Sequence, residues 1–249
     1  MGVPSLLACV MIAVAAAFQA PPAGGADPRL AAVRELLRAS RYPEAEPVAR
    51  AWVRDRPDDR RAGFYLGLVL HKAKRHGEAE VFLERAAAAP TDAFPEAVHA
   101  AHYLGWCRYY LGDLAGAKAA FLAHAGAFPQ YDDDQFALGI IAYDEDRIED
   151  AEARFRAALG LLGPGGSPKE RAKNLARLGD VLLRRDRLAE AEACYREAIR
   201  LHEMHGEAWS KLARVLDRQG RGGEAQEMRT RQAALKAKAD AGADAGSAP

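Results

Sequence analysis

Cysteine is scarce: the 249 residues hold three thiols, Cys9, Cys107 and Cys194. That is too few for a disulfide framework, and no CxxC pair marks a redox or zinc motif. Net charge is missing too. Thirty-five basic residues balance 35 acidic ones, which argues against general nucleic-acid binding, where a surplus of Lys and Arg must meet phosphate. Val and Ile are few, and no stretch alternates apolar and polar residues as a half-buried strand does. Alanine and arginine are abundant instead, and the chain reads as all-α, long enough for one or two cores.

The longest apolar run, Leu6 to Phe18, is 13 residues. It falls short of the roughly 20 residues that span a bilayer but suits the core of a secretory signal. Small residues suitable for cleavage end at Ala17 and at Ala26, although no Lys or Arg precedes the run. The expectation is export, with residues 1–26 a signal peptide and linker and no stable membrane span after cleavage. An uncleaved anchor is the alternative. "LLAC" (Leu6 to Cys9) resembles a lipid-attachment box but lies too close to Met1 to serve. Without the leader, Cys107 and Cys194 fall two structural units apart on predicted helices, too distant for a disulfide, and are expected to be buried thiols.

A pattern recurs along the body: a small residue, alanine twelve positions later, then a large residue four further on. Gly67, Ala79 and Leu83 form one set; Gly105, Ala117 and Phe121 the next; then Gly139, Ala151, Phe155 and Gly179, Ala191, Tyr195. Leu66, Leu104, Leu138 and Leu178 precede the glycines, and weaker copies centre on Ala45 and Ala225. The alanines lie 34, 38, 34, 40 and 34 residues apart, the signature of a repeat. Each unit is expected to be two antiparallel helices joined by a turn such as "LGDLAGA". Glycine and alanine would face each other where the helices cross, with the large residues filling the space beside them. Glycine's helix cost, roughly 1 kcal/mol, is then offset by close packing.

These residues resemble the tetratricopeptide-repeat family. Ala86, Ala158 and Ala198 match its second alanine, and Pro57 and Pro129 its closing proline. The outer copies depart from it: Ala49 and Arg229 stand for the aromatic, Gln232 for the second alanine. The resemblance implies an all-α, right-handed superhelical solenoid of about six helix-turn-helix units, near residues 28–58, 60–92, 95–129, 131–164, 168–203 and 205–235. The tail, 236–249, has no apolar period and reads as disordered.

Little in the sequence carries catalytic chemistry, and no cofactor is expected. His99 and His102 are three apart on one predicted helix, as are His202 and His205, but no third ligand completes either pair. His71, His76, His202 and His205 are placed near helix C-termini, where a partly positive imidazole suits the dipole. Asp132, Asp133 and Asp134 suit a helix start. "LGPGGSPKER" lacks phosphate-loop spacing and is a linker.

The first helix of each unit offers an exposed stripe at i, i+4 and i+7. It reads Phe64, Leu68, His71; then His102, Trp106, Tyr109; then Phe136, Ile140, Tyr143. Beyond these the stripe turns basic, with Lys173, Arg177, Arg184, Lys211 and Arg214. Two readings stand: an aromatic-then-basic groove for a peptide with apolar and acidic segments, or packing against neighbouring helices. The family's Lys/Asn clamp for a C-terminal carboxylate is not matched, since Phe64, Leu68, His102 and Trp106 occupy those positions. Charge also clusters, with nine acids against two arginines over 131–155 and eight bases against three acids over 50–75. The expectation is a non-enzymatic, periplasmic or extracellular scaffold that binds another protein in a bacterial envelope. A metal-dependent or peptidase activity near His99 and His102, or a self-associating array, are the alternatives.

Overall fold

A computed structural model describes residues 27–88, 90 and 94–245; the leader, and the cleavage sites read in it, lie outside the described residues. Among them are twelve α-helices, one 3-10 turn (Ala97–His99) and no strand. The described residues divide into two compact units, one up to residue 127 and one from residue 128. The first contains α1 (Pro28–Arg38), α2 (Tyr42–Asp55), α3 (Arg60–Lys72), α4 (His76–Ala87), α5 (Ala100–Tyr110) and α6 (Leu114–Ala127). The second contains α7 (Asp132–Asp144), α8 (Ile148–Leu162), α9 (Pro168–Arg184), α10 (Leu188–Leu201), α11 (Gly206–Arg218) and α12 (Gly222–Ala245). It is an all-α helical-repeat fold of six hairpins, three in each unit.

Every hairpin closes in one way. In the first, the Ser40 amide donates to the Leu37 carbonyl (3.1 Å) and the Arg41 amide to the Leu36 carbonyl (2.9 Å). These are the two bonds of a Schellman motif, which satisfies carbonyls that the helix end leaves open. The same pair of bonds forms at Lys74 and Arg75, Gly112 and Asp113, Asp146 and Arg147, Asp186 and Arg187, and Gly220 and Arg221. The first residue of each pair lies five before the repeat alanine and has a positive φ, from 57° at Ser40 to 84° at Gly112. Only Gly112 and Gly220 adopt that conformation without steric cost.

The repeat alanines Ala45, Ala79, Ala117, Ala151, Ala191 and Ala225 are fully buried. So are the large residues Leu83, Phe121 and Tyr195, and Phe155 nearly so. The glycine is explained differently from the sequence reading. A Cβ on Gly105 would stand 2.9 Å from the Phe121 ring, and one on Gly179 2.7 Å from the Tyr195 ring. Glycine therefore makes room for the large residue sixteen positions on, and the alanine is not what it meets first. At Gly67 the order is the same: Leu83 at 2.7 Å, then the Ala79 carbonyl at 3.3 Å.

Ion pairs join successive hairpins. The residue after the repeat alanine is Glu46, Glu80, Glu152 or Glu192 in four hairpins. Arg75, from the following turn, donates to Glu46 at 2.5 Å, and Arg108 donates to Glu80 at 3.0 Å. Arg187 reaches Glu152 at 2.7 Å, and Arg221 reaches Glu192 at 2.8 Å. Burial alone would raise the Glu152 carboxyl, but hydrogen bonds from Arg156, Arg187 and Arg185 outweigh it and hold the group below the ordinary glutamate value. A second cluster fixes the start of α1: Arg29, 1% exposed, donates to Asp27 (2.7 Å) and Asp55 (2.6 Å).

The last helix runs to Ala245. Residues 236–245, read from the sequence as unstructured, thus continue it. Alanine and lysine favour helix by propensity even where no apolar stripe marks one. Of the two thiols, Cys107 is buried, while Cys194 is only half-buried; both are free.

Candidate functional site

Three stripe residues are core residues. Phe64 is 2% exposed, with its ring against Tyr65, Phe94 and Tyr103 at 5.3, 5.8 and 6.1 Å. His102 meets Phe121 edge-on at 5.7 Å, and Phe136 lies 5.7 Å from Phe155. Position i of the stripe thus points inward, for His102 and Phe136 onto the second helix of the same hairpin, so these three side chains pack and do not face solvent. The later positions are more open. Leu68, His71, Trp106, Tyr109, Ile140 and Tyr143 are all half-buried.

In the first unit the open rings gather at the end of α5. Trp106 stands edge-on to Tyr109 (5.9 Å) and stacks near Tyr110 (6.0 Å). Tyr110, which the stripe did not include, is 57% exposed, and neighbouring Leu111 is 49% exposed. Tyr110 follows directly on Tyr109, so a stripe widened by one residue would have found it.

In the second unit the basic residues are engaged with acids and rings. The Lys173 ammonium lies 3.9 Å from the Phe136 ring centre and 3.3 Å from Asp133. Arg177 pairs with Asp180 (3.3 Å) and Glu207 (3.5 Å), and Lys211 pairs with Asp180 (3.0 Å). Asp180 is buried and also accepts the Tyr195 hydroxyl at 2.7 Å. Burial, then the Asp180 charge, pushes that phenol well above its ordinary range. Arg184 covers the Tyr143 ring at 5.0 Å and pairs with Asp146 at 2.6 Å. Arg214 is exposed and has no ion pair among the described residues. A cavity of about 520 Å³ opens between α11 and α12, lined by Met204, Trp209, Arg229, Gln232 and Leu235.

The histidines divide. His99 Nδ1 lies 3.2 Å from His124 Nε2, and the His102 and His124 ring centres are 5.4 Å apart; His124 was not singled out in the sequence. His71 does lie in the last turn of α3. Burial holds its imidazole neutral, down to about 4, so it does not answer the helix dipole as a cation. His76 opens α4, and His205 caps α11 by accepting the Ala208 amide at 3.4 Å. Both correct the expectation of C-terminal placement.

The tetratricopeptide-repeat family model matches residues 30–93 and 176–248, more than half of the chain. The chain belongs to the tetratricopeptide-repeat family. Such repeats indicate a protein–protein interaction scaffold, and members are generally not enzymes. No curated protein matches the sequence. Among solved structures, the APC/C hetero-tetramer Cut9–Hcn1 has a chain similar at TM-score 0.74 and 18% identity over 84% of this chain. This protein spans only 39% of that chain's length. Pseudomonas aeruginosa PilF is similar at TM-score 0.61 and 20% identity, covering 73% of this chain and 78% of PilF. YrrB, described as a tetratricopeptide-repeat protein with an unusual peptide-binding site, is similar at TM-score 0.54 and 15% identity, covering 75% and 91%.

The repeat signature also explains a signal that residue-by-residue reading passed over. Each turn residue with positive φ is followed by arginine in "RYPEAE", "RHGEAE", "RIEDAE", "RLAEAE" and "RGGEAQ". That arginine pairs with the acid three positions on, as Arg187 does with Glu190 at 2.6 Å, and in three hairpins reaches back to the preceding one. The third hairpin reads "DLAGAK" and has neither the arginine nor the glutamate.

Proposed function

We propose that this chain is an exported adaptor whose first-helix faces dock extended segments of a partner protein. The aromatic face of the first unit takes apolar segments through Leu68, Trp106, Tyr109 and Tyr110. The basic face of the second takes acidic segments through Arg177, Arg184, Lys211 and Arg214, with Ile140 and Tyr143 beside them. The observation that carries the reading is the ring cluster at the end of α5. Trp106, Tyr109 and Tyr110 contact one another, yet Tyr110 is 57% exposed. Aromatics and arginine are the residues that dominate binding energy at interfaces. The acids that pair with the basic residues would be exchanged for those of the partner, which makes binding salt-sensitive. Export rests on the apolar run Leu6 to Phe18; among the described residues no helix is long and apolar enough to cross a membrane.

Capture of partners from envelope extract by the exported chain, compared with the Trp106→Ala/Tyr143→Ala variant, tests the reading. A partner recovered at least tenfold less by the variant, with its helical content unchanged, is the expected result. Equal recovery of every partner would remove the docking face. Mass measurement of the exported chain is expected to place its N-terminus after Ala17 or Ala26, and an intact leader would remove the secretory part.

A further inference from the structure

His71, His76 and Cys107 come from three different helices of the first unit, α3, α4 and α5, and from two successive hairpins. One donor atom from each lies within 4.8 Å of the other two. The Cys107 sulfur is 3.4 Å from His71 Nδ1. A second observation points the same way. His76 Nδ1 is shielded from solvent and has no hydrogen-bond partner, although such a group is costly to leave unsatisfied. The ring of His76 stacks on Tyr110 at 4.4 Å.

We propose that these three residues form a metal site for zinc(II), with two imidazoles and one thiolate as ligands and the fourth position left to water or to a side chain of a partner. Tetrahedral zinc with Zn–N near 2.0 Å and Zn–S near 2.3 Å places its donors about 3.3–3.6 Å apart. The His71–Cys107 separation already lies in that range, and the widest gap must close by at most about 1.5 Å. His76 can supply the movement, since it is the first residue of α4 and only half-buried. An N₂S set is the one that thiophilic, borderline-soft ions select over magnesium or calcium, which take oxygen.

The two imidazoles suit the step, and the thiol has to be brought to it by the metal. Burial lowers both imidazoles, with Lys72 adding to the effect at His71 and Lys74 at His76. Neutral imidazole is the ligating form. Burial pushes the Cys107 thiol up to about 12, which works against ligation; on binding, its proton passes to solvent and the sulfur–metal bond replaces the S–H bond, so the site binds more tightly as pH rises. The site would tie the α3–α4 hairpin to α5 beside the ring cluster of Tyr110 and Trp106. It stands independently of the peptide-docking reading.

Cobalt(II) titration of the full chain in a Cys9→Ala/Cys194→Ala background, where Cys107 is the sole thiol, tests the proposal. One equivalent of cobalt is expected to produce a thiolate-to-metal charge-transfer band, which one equivalent of zinc then bleaches. His76→Ala is expected to weaken zinc binding at least tenfold by calorimetry, and Cys107→Ala to abolish the band. His76 is half-buried at a helix start, so its variant reports binding even if Cys107→Ala fails to fold. No band at one equivalent, or zinc affinity unchanged in His76→Ala, overturns the site. So would zinc affinity lost instead on His99→Ala, which would move the metal to the His99–His124 contact.

Discussion

The two units share one set of rules and differ in what they carry. In each, three hairpins close by the same turn, and in each a glycine on the first helix admits a buried large residue from the second. The first unit then adds rings: Trp52, Tyr65, Phe64, Phe94 and Tyr103 form a chain of contacts inside it, and Trp106, Tyr109 and Tyr110 another towards its surface. The second adds charge, with Glu152, Asp180 and Glu192 buried and each held by arginine or lysine. Backbone closure and helix crossing are therefore common to both units, while the side chains packed around them vary.

The sharpest test of the shared part is loss of the large residue. Phe121→Ala in the first unit and Phe155→Ala in the second should each cost about 3–5 kcal/mol, as buried phenylalanines do, measured by urea unfolding. A loss in one unit much smaller than in the other would break the equivalence of the hairpins.

The charged part is next. Glu152→Gln should cost about 1–2 kcal/mol, because it strips a nearly buried carboxylate from arginines that remain partly solvated. Glu46→Gln should cost less, since that carboxylate is 21% exposed against 10% for Glu152. High salt should shrink both losses. The sign with pH follows from the lowered carboxyls of Glu152 and Glu192. Their contribution is full above the unfolded glutamate value near 4.5 and is lost as pH falls through the folded value. The urea midpoint should fall on acidification, and less steeply in Glu152→Gln/Glu192→Gln.

The smallest effects concern the turns. Lys74→Gly and Asp146→Gly should each raise stability by up to about 1 kcal/mol by relieving positive φ, with lysine gaining more because aspartate tolerates that conformation better. A thermal shift is enough to see it. Loss of stability at Lys74 would mean that its side chain contributes more than its backbone strain costs.

The repeat period, the six hairpins and their buried alanines were legible because they depend on spacing, which sequence displays directly. The stripe was legible only in part. A 3.6-residue period gives the face of Phe64, Leu68 and His71 but not how deep each lies, and depth is set by the neighbouring hairpin, some 35 residues away. The same limit hid the pairing of Lys211 with Asp180, while the His99–His124 contact lies within one hairpin and joins residues 25 apart. The arginine after five of the six turns was present in plain spelling, but its partners Glu46, Glu152 and Glu192 come from the preceding repeat. Only the stack brings them together.

Length in this chain changes in only one kind of place. Glycine and alanine are twelve residues apart within every well-formed hairpin, whereas successive alanines stretch from 34 to 38 and 40 where "APTDAFP" and "GPGGSP" intervene. A residue inserted inside a turn would strip two carbonyls of their amides and swing the large side chain off its glycine. The same residue added between hairpins disturbs neither, so tags, reporters and cleavage sites engineered into this protein belong there.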